Sequence, residues 1–206
     1  MKKGGTEKIK ARYDRVSPYY DHMEFLLEKV LFSRWRRKVF ESVDGDSILE
    51  VGVGTGKNVD FYPAGRSITA IDFSQGMLSR ARRKAESKGV KVDLVDMDVE
   101  DLYFRDQSFD TILGTFVFCS VPDPIRGLEE IKRVCKGGGK IILLEHVRPR
   151  GTLLGKIFDL LNPITVKLMG VNINRNTVAN IKRAGLNVLE EKNLFRDVVK
   201  LLVANP

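Results

Sequence analysis

A short apolar run that ends in alternating glycines constrains this chain more than any other feature. Ser47-Ile48-Leu49-Glu50-Val51 reads as a buried strand, and Gly52, Gly54 and Gly56 follow it directly. A chain that turns sharply at a strand end, and lets a ligand approach its backbone, needs residues without a Cβ. The elements that follow repeat one theme. Strands are expected at residues 67–71, 90–95, 109–114 and 140–144, with helices at 75–88 and 125–135 between them. Ser74 is placed to cap the first of these helices and Gly89 to stop it, while the Gly137-Gly138-Gly139 run ends the second. Strands alternating with helices imply parallel pairing and right-handed crossovers, hence a doubly wound α/β sheet. A further helix at 177–184 precedes two closing strands, 186–189 and 198–203, read as an antiparallel hairpin at one sheet edge. That makes seven strands, mostly parallel.

The glycine spacing narrows the ligand. A dinucleotide fingerprint wants Gly-x-Gly-x-x-Gly, but the sixth position here is Lys57, and an acid, Glu50, precedes Gly-x-Gly-x-Gly. Asp72 falls at the end of the next strand, twenty residues after Gly52, where a carboxylate can accept both hydroxyl hydrogens of a ribose. The third strand runs into Asp96-Met97-Asp98-Val99-Glu100-Asp101. There Asp98 is expected to accept from an adenine amino group, with Val99 offering its backbone amide. Asp110 starts its strand rather than ending it and is read as structural.

Charge and composition bound the partners. The 206 residues are 43% apolar and 30% charged, with net charge +8, which suits one globular domain. Residues 1–40 carry eleven Lys/Arg against five Asp/Glu, so +6 of the total lies in one fifth of the chain. A basic end of this kind attracts phosphates, whether of lipid headgroups or of nucleic acid. Helices are expected at 6–20 and 24–41, the second apolar at Phe25, Leu26, Val30, Trp35, Val39 and Phe40 with Arg34, Arg36, Arg37 and Lys38 between. A second amphipathic insert spans 153–169, where Lys156, Asp159, Pro163 and Lys167 rule out a membrane span. Cys119 and Cys135 sit in apolar stretches and are read as core thiols of a reducing compartment. With no apolar segment behind Lys2 and Lys3, the expected location is cytoplasmic.

From about Tyr13 to Val147 the chain resembles class I S-adenosylmethionine-dependent methyltransferases, in particular the ubiquinone/menaquinone methyltransferase-like group. The resemblance rests on Leu-Glu-Val-Gly-Val-Gly-Thr-Gly (49–56), Ala-Ile-Asp-Phe-Ser-Gln-Gly-Met-Leu (70–78), Asp-Gln-Ser-Phe-Asp (106–110) and Arg-Val-Cys-Lys-Gly-Gly-Gly-Lys (133–140). Val-Gly-Val-Gly-Thr-Gly with Tyr62-Pro63 and Val121-Pro122-Asp123-Pro124 is similar to bacterial phosphatidylethanolamine N-methyltransferases. Phe118-Cys119-Ser120-Val121 with Glu145-His146-Val147 is similar to alkyl-thiol methyltransferases. The resemblance implies a Rossmann-like domain over residues 45–206 and a basic helical lid over 1–44. It also implies S-adenosylmethionine contacts from Glu50, Gly52, Gly54, Gly56, Asp72, Phe73, Met77, Asp98, Val99, Thr115 and Phe116, with Tyr20 closing over the cofactor. The segment 115–121 would face the methyl group.

Methyl transfer from a sulfonium is an in-line displacement whose leaving group needs no protonation, so the protein's task is positioning, desolvation and, for some acceptors, removal of one proton. No metal is required. His146, just past the fifth strand, is a candidate base, Tyr20 a candidate positioning group, and His22 lies in the lid. Tyr19 is read as a packed aromatic. The two amphipathic stretches suit a small or lipid-like acceptor taken from an anionic membrane surface, a phospholipid amine first. Alternatives are a quinone-precursor C-methyltransferase, a thiol S-methyltransferase, an RNA methyltransferase and a non-enzymatic cofactor-binding lipid-surface module. Nucleic acid ranks lower because Gly114-Thr115-Phe116-Val117 lacks the Asn/Asp-Pro-Pro-aromatic segment typical of amino-group DNA methyltransferases.

Overall fold

The sheet order β3-β2-β1-β4-β5-β7-β6 puts the glycine-rich turn at the centre of the molecule. In the computed structural model the backbone of residues 3–206 is described; the side chains of residues 3–5, 21–27, 29, 30, 152, 168 and 169 lie outside the described set, and with them His22, Phe25, Leu26 and Val30. The strands are β1 (Ser47–Val51), β2 (Ser67–Asp72), β3 (Asp93–Asp96), β4 (Phe109–Thr115), β5 (Cys135–His146), β6 (Asn187–Phe195) and β7 (Val199–Asn205). β1 pairs in parallel with β2 and β4, and β7 runs antiparallel to both β5 and β6. Six strands therefore point one way and β7 alone the other. The order reverses between β1 and β4, the switch point where ligands bind in open α/β sheets.

Helices cover both faces. α3 (Gln75–Lys88) and α2 (Ser33–Glu41) pack on one side, where Trp35 and Val39 meet Ile48, Ile68, Leu113 and Ile142. α4 (Pro124–Val134) and α6 (Thr177–Arg183) cover the other, where Leu128, Ile131 and Ile181 pack on Leu49, Ile112, Ile141 and Leu143. Alternation along β5 explains the split, since successive side chains point to opposite faces. Both cysteines are buried free thiols, as expected. Asp110 is structural too: it accepts from the backbone N–H groups of Asp46 (3.1 Å) and Ser47 (2.9 Å) and from Lys136 Nζ (2.6 Å).

Several boundaries differ from the sequence reading, each for a local reason. α1 (Lys3–Leu27) runs on through a π-helical turn (Glu28–Phe32) into α2, without the expected break at 20–24. Pro18 sits inside α1 because Ser17 Oγ donates to the Asp14 carbonyl (3.0 Å), the acceptor that a residue-18 N–H would otherwise use. β3 begins three residues late because the end of α3 captures the chain: Gly89 is left-handed and Val90 N–H donates to Ala85 O (2.9 Å). β6 extends to Phe195, so the polar connection is itself an edge strand, and its Glu190-Glu191-Lys192 stretch is the charge that keeps an edge from pairing with other chains.

α5 (Thr152–Met169) contributes no described side chain to the buried clusters. Its Leu153, Leu154, Ile157, Leu160, Leu161 and Ile164 are exposed. Among the described residues no helix is long and apolar enough to cross a membrane. Leu128→Ala, in the sealed interior, is expected to cost about 2–5 kcal/mol by urea denaturation. Leu160→Ala, at 76% exposure, should change stability by less than about 0.5 kcal/mol. An equal loss at both positions would show that the outer face of α5 is buried.

Candidate active site

The turn after β1 is held by the end of β2. Val53 N–H donates to Ile71 O (2.9 Å), and Gly54 N–H donates to Asp72 Oδ2 (2.9 Å). The other oxygen of Asp72 accepts from Ser74 N–H (2.9 Å), at the N-cap of α3. One carboxylate thus fixes both the glycine turn and the entry to α3. Burial pushes Asp72 up to about 6, against the pull of those two amides, and the nearby Asp14 and Asp96 add to the rise. Asp14 reaches over from α1, accepting from Ser74 Oγ (2.5 Å) and Gly76 N–H (3.0 Å), so α1 docks on the positive end of α3.

Gly52 and Gly54 are needed for different reasons. Both have positive φ, +65° and +56°. A Cβ on Gly52 would lie 2.6 Å from Val117 Cγ2, so here the turn meets the segment after β4. A Cβ on Gly54 would meet no protein atom within 4 Å, so its backbone faces open space. That space is a cavity of about 920 Å³ counted out into open solvent. Gly52, Gly54, Asp72, Phe73, Met77, Asp98, Val99, Thr115 and Phe116 all line it, and Tyr20 lines it from α1. Asp98 Oδ1 also accepts from Glu100 N–H (3.0 Å), which shapes the loop after β3.

Three of the expected site residues stand behind the cavity wall instead. Gly56 packs towards Ala81 of α3. Glu50 is sealed beneath the turn, where Asn58 Nδ2 (2.9 Å) and the Tyr62 hydroxyl donate to it; burial pushes it up to about 7. His146 stacks on Phe116 (ring centroids 4.6 Å apart) with Phe32 at its edge, and it is Phe116 that lines the cavity. Burial pushes His146 down to about 4, so its imidazole is neutral near pH 7 and does not face the cavity. Tyr19, read as a packed aromatic, is 68% exposed.

Other groups carry no sequence signal strong enough to find them. Arg36, one of four basic residues in a short run, is only 5% exposed and lines the cavity. It donates to Glu28 Oε1 (2.9 Å), Asn58 Oδ1 (3.0 Å) and Thr115 Oγ1 (2.6 Å), and lies over the Phe116 ring. Its ion pair with Glu28 thus stands at the cavity wall. Tyr13 shares a hydrogen bond with Ser120 (2.7 Å), which ties α1 to the segment after β4. Phe116 has φ +60°, a costly conformation for a non-glycine residue and one that clusters at functional sites. Among the described residues no group of three His, Cys, Asp or Glu could hold a metal ion.

These residues fit S-adenosylmethionine: an open glycine backbone, a strand-end carboxylate, and apolar lining from Met77 and Val99. Because ionised Asp72 accepts ribose hydroxyls better than the acid does, calorimetric affinity for S-adenosylmethionine should fall up to about tenfold per pH unit below about 6. Asp72→Asn should bind weakly and without that dependence. Affinity in the wild type that is flat from pH 5 to 8 would remove Asp72 from the site.

Known proteins match this arrangement. Residues 49–143 match the methyltransferase domain family. The phosphatidylethanolamine N-methyltransferase of Cereibacter sphaeroides is 40% identical over 147 residues, covering 68% of this chain and 72% of that one. The demethylmenaquinone methyltransferase of Clavibacter sepedonicus is 31% identical over 216 residues, covering 94% and 88%. Among solved structures, a SAM-dependent methyltransferase from Thermotoga maritima superposes with a TM-score of 0.71 at 22% identity, covering 95% of this chain and 99% of that one. The [4+2]-cyclase SpnF superposes with a TM-score of 0.70 at 21% identity, covering 84% and 80%; it shares the fold but is named for a different reaction. Sequence relatedness therefore carries the assignment: this chain belongs to the S-adenosylmethionine-dependent methyltransferases, with S-adenosylmethionine as its cofactor.

Proposed function

We propose that the protein methylates the amine of an amphiphilic lipid taken from an anionic membrane surface, with residues 1–44 as the lid over the cofactor. The observation that carries this is the outer face of α5. At roughly 100° per residue, Leu153, Leu154, Ile157, Leu160, Leu161 and Ile164 fall in an arc of about 120°. Exposed Lys156 and Lys167 lie within about 40° of one edge of that arc. An apolar face rimmed by lysines is the pattern of a helix lying in a membrane interface, where the lysine stems reach the phosphates. The basic N-terminal helix adds to it: Arg12 Nη1 donates to Val166 O (2.8 Å), so α1 crosses the end of α5. The relative named phosphatidylethanolamine N-methyltransferase favours the amine as acceptor.

When bound, the sulfonium cofactor supplies an electrophilic methyl group. The chain's own residues would do the rest. Asp72 and Asp98 would orient the nucleoside, and Tyr13 with Tyr20 would keep water out. Tyr20 would also help to position the acceptor, whose ammonium gives its proton to solvent water before the neutral amine attacks the methyl group. His146 then serves as a support for Phe116 rather than as the proton acceptor. A second reading, methylation of a quinone-precursor ring carbon, is favoured by the relative that spans 94% of this chain.

Two measurements separate these readings. With labelled S-adenosylmethionine, vesicles of phosphatidylethanolamine and phosphatidylglycerol should become labelled and a demethylated naphthoquinol should not; the reverse would select the quinone reading. Cosedimentation with phosphatidylglycerol vesicles should weaken by tenfold or more in the double variant Leu160→Glu, Ile164→Glu, since each leucine-sized side chain contributes about 1.5–3 kcal/mol when buried. Unchanged sedimentation would end the role of α5.

A further inference from the structure

The acceptor side of the cavity is formed by the segment after β4, where Phe116, Val117, Ser120 and Val121 line it. Phe116 N–H still donates to Leu144 O of β5 (2.7 Å) with Phe116 at φ +60°, but beyond it the chain leaves the sheet and the next amides need other acceptors. A single carboxyl takes up two of those amides. Glu145, near the end of β5 and fully buried, accepts at Oε1 from Val117 N–H (2.9 Å) and Phe118 N–H (3.0 Å). Its second oxygen, Oε2, is sealed from solvent and has no hydrogen-bond partner. A buried polar atom left unpaired is costly, so a carboxyl at this place calls for a reason beyond filling space.

The carbonyl side of the same segment is held from the opposite direction. Asn172 donates to Cys119 O through its backbone N–H (2.9 Å) and its Nδ2 (3.1 Å), and Arg175 Nη2 donates to Val121 O (2.9 Å). Residues 116–121 are thus fixed at their amides by β5 and at their carbonyls by the loop between α5 and α6. The segment meets the glycine turn where Val117 packs against Gly52.

We propose that Glu145 is the positioning residue for the acceptor wall, holding residues 116–118 in the strained turn that sets the distance between acceptor and transferable methyl group. It touches neither partner in the reaction; it acts through Phe116 and Val117. The proposal rests on the methyltransferase assignment and not on which acceptor is used. The groups facing Glu145 are few. They are the Cys119 thiol, the Arg175 guanidinium, and Lys200, its cross-strand neighbour on β7, whose ammonium is already taken by Glu191 (2.5 Å) and Asp197 (2.7 Å). His146 points to the opposite face of the sheet, with Phe116 and Phe32. Burial pushes Glu145 up to about 7, opposed by the amides of 118, 117 and 119 and by the charge of Arg175. A carboxylate accepts N–H bonds more strongly than the neutral acid, so the hold tightens as pH rises through about 7.

The test is hydrogen exchange of the Val117 and Phe118 amides with S-adenosylhomocysteine bound, corrected for intrinsic pH dependence, in wild type, Glu145→Gln and Glu145→Ala. Protection in the wild type should rise between pH 6 and 8. Glu145→Gln keeps an accepting carbonyl, so both amides should stay protected with no such rise, which separates Glu145 from Glu50 and Asp72. Glu145→Ala should exchange on the order of tenfold faster at these amides, with S-adenosylhomocysteine affinity within about threefold of wild type. Methyl transfer to phosphatidylethanolamine vesicles by Glu145→Ala should fall on the order of 10- to 100-fold in kcat. Wild-type protection that does not change with pH, or amides equally protected in Glu145→Ala, would overturn the proposal. If Glu145→Ala does not fold, the comparison of wild type with Glu145→Gln still decides it. If the acceptor is not phosphatidylethanolamine, wild type shows no turnover while the exchange result stands.

Discussion

Asp72 is the side chain on which the rest of the site depends. Its two oxygens join the amide of Gly54 to that of Ser74, so the turn after the first strand and the helix after the second are one unit. The arrangement costs something, because a carboxylate is buried beside two other acids, Asp14 and Asp96. Two amides offset only part of that cost. A ligand that brings hydroxyl donors to the same carboxylate would complete its solvation, and the open backbone of Gly54 leaves the space for it.

Around that centre the chain divides its work. The sheet and its flanking helices supply rigidity, with β1, β4 and β7 nearly sealed. Among its described side chains, the N-terminal helix is held by polar and ring contacts: Asp14 on the start of α3, Tyr13 on Ser120 and Phe73, Arg12 on the end of α5. The buried Arg36 of α2 bonds to Thr115 and Asn58.

Much of this was legible in the sequence because it is local. The strand before the glycines, the acid at the end of the second strand and the cap at Ser74 each follow from a few adjacent residues. The doubly wound order followed from alternation. The boundaries that moved were decided by tertiary or capping events: Val90 is drawn into the end of α3, and the charged run of β6 pairs because β7 is there to receive it. The misplaced site residues share a cause. Glu50 and His146 sit next to functional positions in sequence, but alternation along a strand turns neighbours to opposite faces, and only the packing of Phe116 shows which side the cavity lies on. Arg36 escaped because nothing in Arg34-Trp35-Arg36-Arg37-Lys38 distinguishes the buried cation from its solvated neighbours.

The central claim is that the cofactor lies over the open backbone of Gly54 with its ribose on Asp72. A crystal structure of the protein soaked with S-adenosylhomocysteine tests it most directly. The account requires ligand density across the glycine turn, ribose hydroxyls within hydrogen-bond reach of Asp72, and the adenine between Met77 and Val99 near Asp98. Density elsewhere on the molecule, or a ribose turned away from Asp72, would contradict it.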